Sequence, residues 1–262
     1  MLDLIDRRSG RLFALMAAVA FAVLLYLGRN GTFYHDEWTF IGQRGGTLTD
    51  WFGPHNEHWS TVPFFVYRVL LLTVGLTTYL PYLAVLLALH VVAAGALFGL
   101  IRQASGALVA LAAAAIFLFM GNGEQNLFWA FQIAFLGSAA GGFGALLALA
   151  TGHPRIAMGL LVVAIASSSM GLPFVAAAGA MLLLDSRRRR QIVWLVPVAA
   201  VFLVWFALIV RYSASRLSAF TFLTPLFGVA AGHLVLGEPI TSAFAAAVAL
   251  VAAGLLLVNW LR

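Results

Sequence analysis

Seven side chains in one short stretch could do chemistry. Tyr34 to Trp59 reads YHDEWTFIGQRGGTLTDWFGPHNEHW and carries Asp36, Glu37, Asp50 and Glu57 with His35, His55 and His58. These are four of the nine acidic residues and three of the six histidines in the chain. Asp36 and Glu37 are adjacent and flanked by Tyr34 and Trp38. A carboxylate pair so placed can take a proton from an acceptor hydroxyl or hold a divalent cation through oxygen. It also suits a solvated loop whose aromatics sit at a membrane interface. In HNEHW, His55 and His58 fall at i, i+3 and would share a face if the segment were helical. Pro54 before the motif and Ser60 after it predict the entry to a helix, with polar groups capping its first turn. The spacing is not HExxH, which argues against a zinc protease.

The elements that hold this stretch are apolar. The 262-residue chain is 63% hydrophobic and only 9% charged, with mean hydropathy +1.01. A soluble domain is about 25% charged, so the composition predicts an integral membrane protein. At about 20 residues per spanning helix, the length allows eight or nine spans. There is no cysteine, which excludes disulfides and thiolate metal sites. All fifteen basic residues are arginine. They lie in short clusters between apolar runs, a pattern that follows the positive-inside rule and not nucleic-acid binding.

The charge pattern orders the chain as an all-α, polytopic transmembrane bundle of about nine spans plus one interfacial helix. Arg7, Arg8 and Arg11 predict a cytoplasmic N-terminus and a retained first span over Leu12 to Gly28. The acidic loop, residues 29–78, then lies outside. Thr61 to Leu76 is apolar but short, with Arg68 in its middle, and reads as an interfacial helix whose arginine snorkels. Further spans are expected over Tyr79 to Ile101, Ser105 to Met120, Leu127 to Ala150, Ile156 to Ala166, Val175 to Leu184 and Ile192 to Val210. Two more follow, over Leu217 to Leu236 and Ala243 to Leu261. Glu124, in GNGEQN, falls on the same outer face as the acidic loop. One conflict remains. Arg187 to Arg190 and Arg211 with Arg216 both favour the inside, yet a single spanning segment separates them. Either the last two helices are inverted against their charge bias or the span over Ile192 to Val210 does not cross simply, which suggests two differently oriented pieces joined near Trp205 to Tyr212.

Other polar groups read as packing. Gln132 in an apolar run suits interhelical hydrogen bonding. His90 and His233 read the same way. Gly137, Gly141 and Gly144, at i, i+4 and i+7, predict close helix packing. Ser167, Ser168, Ser169, Gly171 and Pro173 either form a turn between two short helices or offer hydroxyls to a substrate.

Residues 10–205 resemble the GT-C superfamily of polytopic glycosyltransferases. The matching pieces are DEW (Asp36 to Trp38), HNEHW (His55 to Trp59), YLPYL (Tyr79 to Leu83), NLFWAFQIAFLGS (Asn126 to Ser138) and SSSMGLPF (Ser167 to Phe174). The resemblance implies sugar transfer from a polyprenyl-phosphate donor at the outer face of a bacterial inner membrane. It implies Asp36 as the base and Glu37 as its assistant. Asp36, Glu37 and Glu57 would hold a divalent metal, Mg or Mn. His55, Glu57, His58 and Glu124 would contact substrate, the two histidines at the donor phosphate.

Residues 206–259 resemble the C-terminal end of an EamA-type drug/metabolite transporter. RYSASRLSAFTFLTPLFGVAAGHLVLGEPIT and AAGLLLVN carry the likeness, with Pro225, Gly228, Gly232, Glu238 and Pro239. It covers only the last two helices of a ten-helix family. The expected organisation is therefore a GT-C-like module, 1–205, joined to an EamA-like hairpin, 206–262. A solute transporter and a non-functional fusion are the alternatives.

Overall fold

The computed structural model describes residues 2–56 and 58–211. Glu57 and the two expected spans after Arg216 lie outside the described residues. The chain divides into a unit Met1–Trp205 and a unit Phe206–Arg262, and the second is almost wholly outside what is described. The transporter-like hairpin therefore receives no structural account.

The described chain is all-α. Its helices are α1 (Leu2–Leu27), α2 (Leu48–Phe52), α3 (Thr61–Thr73), α4 (Leu80–Ser105), α5 (Ala107–Leu118), α6 (Glu124–Phe128), α7 (Ile133–Ala150), α8 (Pro154–Ser167), α9 (Leu172–Leu184) and α10 (Leu195–Arg211). Strand is confined, among the described residues, to a hairpin of β1 (Pro54–His55) and β2 (His58–Trp59). Four segments are long and apolar enough to cross a membrane: Arg8–Leu27, Leu80–Ser105, Ala130–Ala150 and Arg189–Ala207. α5, α8 and α9 are apolar but run only 12, 14 and 13 residues. At 1.5 Å per residue each is about 20 Å long, short of a hydrocarbon core of about 30 Å. α3, where an interfacial helix was expected, has 13 residues.

Local chemistry explains the boundaries. Pro81, Pro154 and Pro173 stand in the first turns of α4, α8 and α9, where a missing N–H costs nothing. Gly106 separates α4 from α5 at φ 85°, a conformation glycine adopts without strain. The glycine stripe of α7 faces α8. A Cβ on Gly141 would sit 2.9 Å from the Leu160 carbonyl, and one on Gly137 would sit 3.0 Å from Ser167 Oγ. Small residues thus bring the two backbones together, as van der Waals packing in lipid requires.

A large buried cluster among the described residues lies at one end of the bundle. It joins Leu24 of α1, Phe64 and Tyr67 of α3, Tyr82 and Leu83 of α4, and Ile133 and Leu136 of α7. Phe40, from the polar stretch itself, is wholly buried in it. The cluster is the floor on which the acidic loop rests.

Candidate functional site

The loop leaves α1 through a tight turn. A Cβ on Gly28 would meet the Leu83 side chain at 2.6 Å and the Phe128 ring at 2.8 Å, so any larger residue there would push these side chains aside. His35 then adopts φ 50°. The turn after it closes with Trp38 N–H donating to the His35 carbonyl at 3.2 Å and Thr39 N–H to that of Asp36 at 3.1 Å. This turn sends the two adjacent acids different ways. The Asp36 side chain is 40% exposed. Glu37 is 0% exposed.

Glu37 is held by three donors. Tyr67 OH donates to its Oε1 at 2.6 Å and Tyr79 OH at 3.2 Å, while Tyr34 N–H donates to Oε2 at 3.0 Å. Burial pushes its carboxyl up, and the bonds from Tyr67, Tyr34 and Tyr79, with the Trp129 indole, pull the other way. Both oxygens are engaged within the protein, so the acid expected to assist Asp36 does not stand beside it in one open site.

Two further charged residues shape the loop. Asp50 Oδ2 accepts from the backbone N–H groups of Gly45, Gly46 and Thr47, and from Thr47 Oγ1. With Thr47 it forms a capping box on α2; these bonds, the Thr47 hydroxyl first, hold its carboxyl below the usual range. Arg44 is buried and donates to the carbonyls of Asp50, Gly53 and Pro54 at 2.9–3.3 Å. It satisfies backbone that would otherwise be orphaned.

HNEHW is not the helical turn that the spacing suggested. It is a hairpin in which His55 pairs with His58 and Pro54 with Trp59. Pro54 disfavours helix in the residue before it, and Gly53 is extended at ψ 149°. Asn56 takes φ 47°, a conformation asparagine tolerates in tight turns. The helix begins only after Ser60. Thr61 pins the hairpin down: its Oγ1 donates to the Trp51 carbonyl and accepts from Trp59 Nε1, both at 2.6 Å.

Directly opposed residues of a hairpin share a face, so the two histidines come together by a different route. His55 lies among Phe40, with ring centroids 5.0 Å apart, and Phe131, at 5.2 Å. Its Nε2 is 3.8 Å from Asp36 Oδ2, too long for a hydrogen bond. Burial lowers its pKa, outweighing the Asp36 charge that raises it, so the ring is neutral near pH 7. His58 reaches the turn after α8. Its Nδ1 lies 3.4 Å from Ser168 Oγ and its ring meets the edge of Phe135.

Asp36, His55 and His58 line a cavity of about 210 Å³. Asn56 donates to Asp36 Oδ2 at 3.0 Å. The opposite wall is Trp129, Phe131, Gln132 and Phe135, on the 3₁₀ turn Ala130–Gln132 that breaks α6 from α7 and on the first turn of α7. His55 Nε2 and Gln132 Oε1 are buried without a hydrogen-bond partner. No lysine or arginine lines this cavity. A second cavity of about 320 Å³ shares Phe135 and is lined mainly by apolar side chains, among them Phe117, Leu136, Phe143 and Phe174.

Of the expected residues, Asp36, His55 and His58 converge. Glu37 lies behind the wall. Glu124, exposed on α6, lines neither cavity; after burial and Glu37, its charge is a third cause raising the Tyr34 phenol. Gln132 and Asn56 were not read as site residues. Among the described residues no group of three or more His, Asp or Glu could hold a metal. Glu57, one of the three expected ligands, lies outside the described residues, and both Glu37 oxygens already accept hydrogen bonds within the protein. In SSSMGLPF, Ser168 Oγ caps Met170 N–H at 3.3 Å and Ser167 Oγ donates to the Val163 carbonyl at 2.7 Å, which is the turn reading. No family model, curated protein or solved structure matches the chain.

Proposed function

We propose that the chain is a membrane-embedded, glycosyltransferase-like protein of about nine spans in a bacterial inner membrane, with its N-terminus cytoplasmic. Its reaction moves a sugar from a polyprenyl-phosphate donor to an acceptor hydroxyl at the outer face. One observation carries this reading. A small polar cavity bearing Asp36 shares the Phe135 wall with a larger apolar cavity. That pairing suits an amphiphile whose head reacts and whose chain is apolar.

Asp36 is the reacting base in this scheme. It is the partly exposed acid of the pair, and Asn56 occupies only Oδ2. The acceptor hydroxyl gives its proton to the carboxylate as the new glycosidic bond forms and the sugar–phosphate bond breaks. His55, neutral near pH 7, brings no charge to the donor phosphate and acts beside Asp36. The phosphate leaves from the mouth of the cavity, where water and lipid headgroups screen it.

The test is sugar transfer by purified protein from a polyprenyl-phosphate-linked sugar, wild type against Asp36→Asn. General-base catalysis contributes about 10²–10⁴-fold, so the variant should lose at least a hundredfold with its fold unchanged. Equal turnover in both proteins, or none in either, counts against the proposal.

A further inference from the structure

We infer that Glu37 is a positioning residue that ties the two walls of the polar cavity together through Tyr79. The carboxylate lines neither cavity and touches no reacting group. Its three donors come from three places in the chain: the loop at Tyr34, α3 at Tyr67, and Tyr79 at the start of α4.

One connection to the far wall runs through a hydroxyl, and the Trp129 indole also acts on the carboxylate. Tyr79 OH donates to Glu37 Oε1 at 3.2 Å and accepts from Ala130 N–H at 2.6 Å. A phenol has one proton and spare lone pairs. An ionised carboxylate is a stronger acceptor than the Phe128 carbonyl, which lies 3.4 Å away. The chain of bonds is therefore directional, from Ala130 to Tyr79 to Glu37, and the charge at its end strengthens the bond at its start. Ala130 is wholly buried in the break between α6 and α7. Helix does not supply its N–H with a partner; Tyr79 does.

That break carries Trp129, Phe131 and Gln132, three residues of the cavity wall. The near wall is tied to the same carboxylate. Tyr34 donates its N–H to Glu37 and stacks its ring on Trp129, with centroids 5.2 Å apart. Asp36 is the next residue along from Glu37. One buried acid thus sets the spacing between the residue proposed as base and the surface facing it.

The test uses hydrogen exchange by mass spectrometry on full-length protein in detergent micelles, so it does not depend on sugar transfer. Glu37→Gln and Tyr79→Phe should each speed exchange in peptides covering 128–132 at least tenfold. Peptides within α7 and α8 should stay unchanged. The double variant should exchange no faster there than the quicker single variant, because both break one chain. Phe98→Leu, a core change in another cluster, should lower stability without this local opening. Tyr79→Phe keeps ring and volume, so it decides the matter if Glu37→Gln does not fold. Unchanged exchange at 128–132, or a rise spread evenly over all peptides, overturns the inference.

Discussion

Tyr67→Phe removes one oxygen and tests the Glu37 network at its strongest bond. Both partners are wholly buried, and the hydroxyl lies 2.6 Å from Oε1. Loss of a buried hydrogen bond to a charged group costs about 1.5–3 kcal/mol. The cost should depend on pH, and its sign follows from linkage. Burial already raises the Glu37 carboxyl above its ordinary value. Such a group contributes stability that is fully present below its unfolded pKa and is lost as pH rises through the folded one. Removing a donor to the anion raises the folded value again. At low pH both proteins carry a protonated Glu37, and the variant lacks only a neutral bond, worth about 1 kcal/mol. At higher pH the variant must also hold a less well solvated charge. The difference between the two proteins should therefore grow from a low pH, where Glu37 is protonated, to a high pH, where it is ionised, toward the upper end of the range for a charged bond. Denaturant unfolding in detergent at both pH values measures it. Tyr82→Phe is the control: its hydroxyl donates to the neutral Gly75 carbonyl at 3.0 Å, so its cost should not change with pH. A Tyr67→Phe penalty equal at both pH values, or no larger than that of Tyr82→Phe, would refute the reasoning.

Two more outcomes are expected. A Cβ on Gly171 would lie 2.5–2.7 Å from the Ala164 and Ile165 backbone, which cannot rotate away, so Gly171→Ala should destabilise by about 1–3 kcal/mol in the same unfolding assay. No loss would mean that the turn after α8 is looser than described. Cysteines at Gly45 and Gly121, both exposed and with room for a side chain, should both label from outside intact cells; labelling at only one would mean that α3 crosses the bilayer. Gly53 is unsuited to this test, since its Cβ would sit 2.5 Å from the Thr49 carbonyl.

The long apolar runs were legible because lipid asks for little else. α1, α4, α7 and α10 fall where hydropathy and arginine placement put them, and the α7 glycines face the helix that their spacing implied. The site was legible only in part. Asp36 and Glu37 are adjacent and chemically alike, so sequence could not tell which one the His35 turn buries. The i, i+3 spacing of His55 and His58 fits a helix as well as a tight hairpin, and the extended Gly53 and the positive φ of Asn56 mark the hairpin. The break at Ala130–Gln132 has no proline or glycine to announce it. Tyr79, far away in sequence, satisfies the Ala130 N–H at that break.

Trp205 closes the described part of the first unit, and its contacts reach back to the loop. Its indole stacks on Trp59 with centroids 5.4 Å apart, and its Nε1 donates to the Phe52 carbonyl at 3.2 Å. The histidine hairpin is therefore fastened by a residue translated long after it. During synthesis the histidine hairpin stays unlatched until α10 has emerged. A fragment cut before Trp205 would keep every residue of the polar cavity and lack that fastening.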